Sequence, residues 1–216
     1  MKEYPHIEYW NHGLIGSPII GFDKIDGSNI RCEWSQKRGF YKFGTRNQLI
    51  DERNENFGNV IPLFLNKYHE PLTRLFKSDK EFRNIKNFTV FSEYAGEHSC
   101  FGQHDSNDIM DIILFDVWQH QKGWVEPRTF VKKFGAFGIP KVVYEGNLNK
   151  SLVEAVRQNE FNLKEGIMGK GIRETKRVDQ RVWSVKMKTN DWFERLRSRY
   201  GQKAVLDELE GDLSIL

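Results

Sequence analysis

Lys24-Ile25-Asp26-Gly27-Ser28-Asn29 is the segment from which the architecture of this chain follows. An apolar strand predicted over Ile19–Asp23 leads into the lysine, and a glycine turn leads into the next predicted strand. A lysine at a strand end can act as a nucleophile toward a phosphate that the backbone N–H groups of such a turn approach. The same residues are also typical of a β-hairpin turn flanked by a surface lysine, so this segment by itself does not distinguish the two interpretations.

The pattern of apolar residues predicts an α+β domain with antiparallel sheets and flanking helices. Because the predicted strands do not alternate regularly with long helices, a parallel doubly wound sheet is disfavoured. Strands are predicted over Ile19–Asp23, Asn29–Ser35, Phe40–Thr45, Phe88–Tyr94, Met110–Trp118, Lys141–Glu145, Glu165–Ile172 and Arg181–Lys188. Helical spacing is predicted from Glu52, with one apolar face over Val60–Phe76, and further helices are predicted over Glu126–Phe137 and Lys150–Asn159. A terminal helix over Trp192–Tyr200 is predicted with Trp192 and Leu196 among the apolar residues at helical spacing.

Composition excludes several classes of protein. Hydrophobic residues make up 38% of the 216 positions, which is enough for one buried core, and no apolar run is long enough to span a bilayer. Cys32 and Cys100 are the only cysteines, so a disulfide framework is excluded and a reducing compartment is favoured. We therefore expect a cytoplasmic protein, in the host cytoplasm if it is viral, with no membrane partner and no secretory signal.

The net charge of +3 hides a basic block near the C-terminus. Residues 170–203 contain eleven lysines and arginines against four acidic residues. Such a block predicts either a polyanionic partner or a solvated helix face. The acidic residues that follow are interpreted as a solvated helix end: Asp207, Glu208, Glu210 and Asp212.

Five further short motifs follow the lysine segment. They are Gly44–Arg46, Phe91–Gly96, Leu114–Val117, Glu165–Met168 and Val185–Lys188. The ordered series resembles motifs I, Ia, III, IIIa, IV and V of the covalent nucleotidyltransferase superfamily of ATP-dependent DNA ligases, RNA ligases and mRNA capping enzymes. The Ser28-Asn29 pair after the glycine and the Lys-x-Lys form of the last motif are most similar to the RNA ligase 2 family.

This resemblance implies an ATP-grasp-like nucleotidyltransferase (adenylation) domain over residues 1–188 and a C-terminal helical tail over 189–216. Only 28 residues follow Lys188, too few for the OB-fold or helical domain of the relatives. Three interpretations stay open: the terminal helix replaces part of that domain, an accessory protein replaces it, or the chain acts chiefly in the first and last steps of ligation.

The resemblance also implies a catalytic set of Lys24, Glu165, Lys186 and Lys188. Lys24 would take AMP from ATP, with its pKa lowered by neighbouring cations. Lys186 and Lys188 lie at i and i+2 and so share one face of a strand, from which they would neutralise the phosphates. Glu165 would hold Mg²⁺ or Mn²⁺.

The implied nucleotide-binding residues are Asp23, Ile25, Asn29, Arg46, Glu93, Phe115 and Lys170. Phe115 would stack on the purine, with Asp23 near the adenine. Glu93 and Arg46 would contact the ribose and phosphate region, and Asn29 the ribose or a substrate phosphate. Each also has an ordinary structural interpretation, such as a core position for Phe115 or a strand-end charge for Glu93.

The predicted function is sealing of 5′-phosphate and 3′-hydroxyl RNA ends, nicked or in a duplex, through a lysyl-AMP intermediate. The alternatives are a small DNA ligase core, a capping-type guanylyltransferase and a nucleic-acid-binding protein with a degenerate site. The group Glu97–Cys100, His104 and Asp105 has metal-ligating side chains but lacks a second ligand pair, so a loop is favoured over a zinc site.

Overall fold

A computed structural model describes residues 1–97, 104, 107–177 and 181–209. The strands are β1 (Glu8–Tyr9), β2 (Pro18–Asp23), β3 (Ser28–Ser35), β4 (Gly39–Thr45), β5 (Leu49–Ile50), β6 (Asn87–Ala95), β7 (Asp111–Gln119), β8 (Gly123–Trp124), β9 (Val142–Asn147), β10 (Gly166–Ile172) and β11 (Val182–Lys188). The α-helices are α1 (Val60–Ser78), α2 (Pro127–Phe134), α3 (Lys150–Arg157), α4 (Asn190–Tyr200) and α5 (Gln202–Leu209), with 3₁₀ turns at His12–Leu14 and Gly135–Phe137.

The strands form two sheets, one of five strands in the order β1-β11-β10-β2-β9 and one of six in the order β5-β4-β3-β6-β7-β8. Within the described residues every pairing is antiparallel except that of β1 with β11. The predicted α+β class is therefore confirmed. The three two-residue strands were missed, because so short a segment has no periodicity to detect.

The segment between β2 and β3 crosses from one sheet to the other, so the β-hairpin interpretation of Lys24–Gly27 is wrong. The crossover runs against the end of β6. A Cβ atom on Gly27 would lie 2.5 Å from the carbonyl oxygen of Tyr94, which leaves room for glycine alone at this close approach.

The largest core lies between α1 and the six-stranded sheet. The helical spacing of apolar residues in α1 buries one face, including Phe64, Leu72 and Phe76. The Phe76 ring stacks on Phe88 of β6 with centroids 4.0 Å apart, and Trp34 of β3 is fully buried beside them. Full burial of each such ring stabilises the fold by about 1.5–3 kcal/mol. This aromatic layer therefore holds α1 against the six-stranded sheet.

A smaller core joins the two sheets. Phe91 of β6 and Phe115 of β7 pack with Met168 of β10 and with Tyr4 from the N-terminal segment. The Tyr4 ring meets Phe91 and Phe115 edge to face, each at 5.0 Å between centroids. Since its members come from both sheets, this cluster fixes the position of one sheet relative to the other.

The described part of the C-terminal tail, residues 189–209, contains two helices where the sequence predicts one. Thr189 caps α4, its hydroxyl oxygen accepting the Trp192 N–H at 3.1 Å. Gly201, at φ +82°, ends α4 and lets the chain turn into α5. In the described ranges, no helix has the length and apolar character needed to cross a membrane.

The basic block does not form one surface. Lys170 and Lys188 are buried, whereas Arg195, Arg197 and Arg199 are exposed on α4. Arg173, Lys176, Arg177, Arg181 and Lys203 are exposed as well, so a polyanion-binding face stays a prediction for the exposed members of the block. As for the weighed zinc site, residues 98–100 and 105 lie outside the described residues, within which no three His, Cys, Asp or Glu side chains converge on a metal position.

Candidate active site

A cleft of about 810 Å³ opens between the two sheets, within the roughly 300–1,000 Å³ range of small-molecule sites. Nine of the predicted site residues line it: Asp23, Lys24, Ile25, Asn29, Arg46, Glu93, Phe115, Glu165 and Lys188. Lys170 and Lys186 are not among its lining residues. Because the lining residues come from strand ends of both sheets, the cleft exists only once the sheets have packed.

Lys24 lies at the floor of this cleft in an ion pair with Glu165. The lysine Nζ is 2.7 Å from Glu165 Oε1, and the same oxygen is 3.0 Å from Lys188 Nζ. The three residues meet because β10 lies between β2 and β11, and the Lys24 N–H donates to the Gly166 carbonyl at 2.9 Å. One buried carboxylate oxygen thus bridges two lysines.

Glycine is required directly after this carboxylate. Gly166 has φ +154°, and a Cβ there would lie 2.0 Å from the Met187 carbonyl oxygen. The chain therefore approaches β11 more closely than any other residue permits. The glycine after Glu165 therefore lets the chain pass close enough to β11 for Glu165 to reach Lys188.

The charge environment of Lys24 differs from the sequence-based expectation. Burial opposes its charged form, but Glu165, Glu93 and Asp26 together outweigh burial and raise the pKa of Lys24. Correspondingly, burial opposes ionisation of Glu165, but Lys24 and Lys188 lower its pKa overall. The expectation that neighbouring cations lower the pKa of Lys24 is therefore wrong for the chain by itself.

Glu93 is the carboxyl group most perturbed toward protonation. It lies opposite Asn29 in the β3–β6 pairing and faces the same cleft. Burial, together with the charges of Glu165 and Asp26, outweighs Lys24 and Arg46 and raises its pKa to about 8. Burial and Glu165 also raise the pKa of Asp23. The cleft therefore concentrates carboxyl groups that a cation would stabilise in their charged forms.

Three buried acceptor atoms of the cleft residues have no hydrogen-bond partner in the described part of the chain. They are Ser28 Oγ, Asn29 Oδ1 and Glu165 Oε2. Buried polar atoms are normally paired, so these atoms indicate a ligand that completes them. Carboxylate and amide oxygens are suitable donors for Mg²⁺ or Mn²⁺, and Glu165 Oε2 fits such an ion.

Lys170 belongs to a buried network behind the cleft. Its Nζ donates to the Phe115 carbonyl oxygen at 2.7 Å and to Asp116 Oδ2 at 2.8 Å. The Tyr4 hydroxyl donates to the same Asp116 oxygen at 2.9 Å. Lys170 therefore fixes the backbone beside the Phe115 ring instead of reaching the cleft, which differs from the predicted nucleotide contact.

Lys186 and Lys188 share one face of β11, as their spacing predicts, and both bind Glu208 of α5. The Lys186 and Lys188 Nζ atoms lie 2.8 Å and 3.2 Å from Glu208 Oε1. The Tyr9 hydroxyl of β1 donates to that oxygen at 2.8 Å. The interpretation of Glu208 as a solvated helix end is wrong, because these three donors hold it at the cleft. Glu210 and Asp212, which were interpreted in the same way, lie outside the described residues.

Two terminal segments supply cleft residues that the sequence analysis missed. The N-terminal segment contributes Tyr4 and Ile7, and α4 contributes Trp192 and Leu196. The Lys188 Nζ lies 3.2 Å from the centroid of the Trp192 ring. Trp192 and Leu196 were assigned only to the apolar face of a helix, and no local pattern marks Tyr4, since its place depends on packing between distant segments.

Two antiparallel-rich sheets around a cleft that Lys24 lines agree with the nucleotidyltransferase class of fold that the sequence predicts. The chain belongs to the RNA ligase family, whose model matches residues 17–188. That range contains every predicted site residue and excludes both C-terminal helices. No curated protein sequence matches the chain.

Solved structures with similar folds include the Naegleria gruberi RNA ligase. Its structure with PPi superposes with a TM-score of 0.63 at 17% identity, covering 92% of this chain and 59% of that one. A mutant of the same ligase with ATP and Mn gives a TM-score of 0.60 at 18% identity, covering 92% and 61%. The chain thus spans about three fifths of these neighbours, and at such identity the likeness concerns the fold.

Proposed function

We propose that the chain is an ATP-dependent RNA ligase in which Lys24 becomes covalently adenylylated. The observation that carries this proposal is the placement of Lys24 at the floor of the cleft, bridged through one Glu165 oxygen to Lys188. The membership of the chain in the RNA ligase family supports it, as do the neighbouring folds solved with ATP and Mn.

In the first step the neutral Nζ of Lys24 attacks the α-phosphorus of ATP. A P–N bond forms, the bond from that phosphorus to the β-phosphate oxygen breaks, and pyrophosphate leaves with the electron pair. The Lys24 ammonium must lose one proton to solvent before the attack, and its nitrogen releases a second proton to solvent as the P–N bond forms. Glu165 opposes the first loss, because its charge holds Lys24 protonated. A divalent cation on Glu165 would supply positive charge that weakens this hold and neutralises phosphate oxygens. Lys188 supplies further positive charge beside the reacting phosphate.

In the later steps AMP passes from Lys24 to an RNA 5′-phosphate, and a 3′-hydroxyl displaces AMP to seal the strand. The exposed arginines of α4 would hold the RNA backbone through charge, which makes binding dependent on salt and independent of sequence. Phe115, at the cleft and packed edge-on to Tyr4, offers a ring for the purine.

Incubation of the chain with radiolabelled ATP or GTP and Mg²⁺ tests the first step. We expect a labelled protein band on a denaturing gel from ATP, its loss in Lys24→Ala, and its retention in Lys37→Ala, which removes an exposed lysine. Labelling by GTP instead would favour the guanylyltransferase alternative. Absence of any adduct with either nucleotide would refute the proposal.

Gel assays with 5′-phosphorylated RNA and with nicked DNA test the substrate. The family match favours RNA, so we expect RNA ends to be sealed faster than a DNA nick. Faster DNA sealing would favour the small DNA ligase core. Because the chain spans about three fifths of its structural neighbours, the assay is repeated with pre-adenylylated RNA, which isolates the sealing step.

A further inference from the structure

We propose that Glu208 is an internal competitor for phosphate: α5 seats its carboxylate on an anion subsite made by Tyr9, Lys186 and Lys188, and a polyphosphate displaces it. The inference rests on the proposed function insofar as ATP is the source of that polyphosphate. It assigns Tyr9 to the site and gives α5 a role in controlling access to it.

The subsite is built without α5. Tyr9 lies opposite Lys186 in the parallel pairing of β1 with β11, and Lys186 Nζ lies 4.3 Å from the centroid of the Tyr9 ring. Lys188 follows on the same face of β11, since residues at i and i+2 point the same way. The three donors are therefore fixed by neighbouring strands and stay together whatever α5 does.

A single oxygen of Glu208 receives all three donors, at 2.8, 2.8 and 3.2 Å. Three charged or polar donors on one oxygen is the arrangement that a phosphate oxygen takes. Glu208 also lines the same cleft as Lys24. Of the three donors Lys188 also lines that cleft, so the Glu208 carboxylate stands beside a cation that the phosphates of a nucleotide at Lys24 would meet.

The rest of α5 is held weakly. Among its eight residues Val205 alone is buried, and the helix packs on its neighbour α4. The contact of Glu208 with the sheet is thus a principal attachment of α5. A polyphosphate carries more charge and more acceptor oxygens than one carboxylate, so it can take the three donors and release the helix.

Calorimetric titration with inorganic pyrophosphate tests the exchange on the full chain, on Glu208→Gln and on Asp207→Asn. The control removes the same charge from an exposed neighbour on α5. We expect Glu208→Gln to bind pyrophosphate about tenfold or more tightly, as expected for loss of a competing charge-assisted hydrogen bond, and Asp207→Asn to match the unmodified chain. Equal or weaker binding by Glu208→Gln, or no binding by any variant, overturns the inference.

Hydrogen exchange on the unmodified chain gives a second test that needs no variant. Saturating pyrophosphate should speed exchange of the α5 amides and leave those of α1 unchanged, whereas unchanged α5 amides overturn the proposal. Neither measurement requires an adduct on Lys24. Loss of adenylylation with the pyrophosphate results intact would therefore refute the proposed function alone.

Discussion

Glu165→Gln should destabilise the fold more than Lys24→Met, although both break the same ion pair. Glu165 Oε1 serves Lys24 at 2.7 Å and Lys188 at 3.0 Å, and the glutamate side chain is 3% exposed. Glutamine keeps the shape but removes the buried negative charge, so Lys24 loses its ion-pair partner at 2.7 Å and keeps only the weaker influence of Glu93 and Asp26, while Lys188 retains Glu208. Loss of one partner from a buried pair costs about 3–5 kcal/mol.

Lys24→Met should cost less, because Glu165 keeps Lys188. One charge-assisted hydrogen bond is lost, worth about 1.5–3 kcal/mol, and the lysine side chain is 20% exposed, which weakens its contribution. We therefore expect the free energy of unfolding to fall by at least about 1 kcal/mol more in Glu165→Gln than in Lys24→Met.

Urea denaturation followed by circular dichroism measures both free energies of unfolding. The control is Arg74→Ala, which breaks the exposed Arg74–Glu70 pair on α1 and should change stability by no more than about 0.5 kcal/mol. If Glu165→Gln costs less than Lys24→Met, or stabilises the fold, then one Glu165 oxygen does not compensate both lysines.

Three further outcomes are expected. The pKa of Glu93 is raised from 4.5 to about 8, so its contribution to stability is full below pH 4.5 and is lost as the pH rises toward 8. Glu93→Gln should flatten this decline when the free energy of unfolding is measured against pH, and an unchanged slope would contradict the prediction. Gly27→Ala should abolish nucleotide labelling or lower the free energy of unfolding by more than about 2 kcal/mol, because the new Cβ meets a backbone carbonyl oxygen. The control Gly135→Ala places its Cβ in open space and should leave thermal melts unchanged. Asp116→Asn leaves Lys170 buried without the carboxylate that lies 2.8 Å from its Nζ, so the free energy of unfolding measured in urea should fall by about 3–5 kcal/mol. A fall of less than about 1 kcal/mol would show that this buried ion pair does not stabilise the fold.

Most of the site can be located from the sequence because short motifs tie residue type to strand ends. Lys24, Glu93 and Glu165 were placed together, and the structure brings them to one cleft. Lys170 was predicted to contact the nucleotide, but it pairs with Asp116 behind the cleft, and no local sequence pattern shows on which side of β10 a lysine lies. Whether a strand residue faces a cleft or a core depends on what packs on each side.

Charge was the property that sequence described least well. The basic block suggested one surface, yet Lys170 and Lys188 are buried in ion pairs, whereas most of the other basic residues in the block are exposed. Glu208 was assigned to solvent because acidic helix ends are usually solvated, whereas three donors from β1 and β11 lower its pKa to about 2 against the effect of burial. Partners distant in sequence decide such ionisation.

By itself the sequence determined the α+β class, most of the strands and helices, and the ordered motifs that carry the lysine, the glutamates and the Lys-x-Lys pair, because periodicity and turn chemistry are local properties. The tertiary structure decided that the lysine segment crosses between two sheets and that one Glu165 oxygen bridges Lys24 and Lys188. It also decided that the N-terminal segment and the helices α4 and α5 contribute residues to the cleft. These depend on contacts between segments that are distant in the sequence, such as Lys24 with Glu165 and Tyr4 with Phe115, which burial of the shared core brings together.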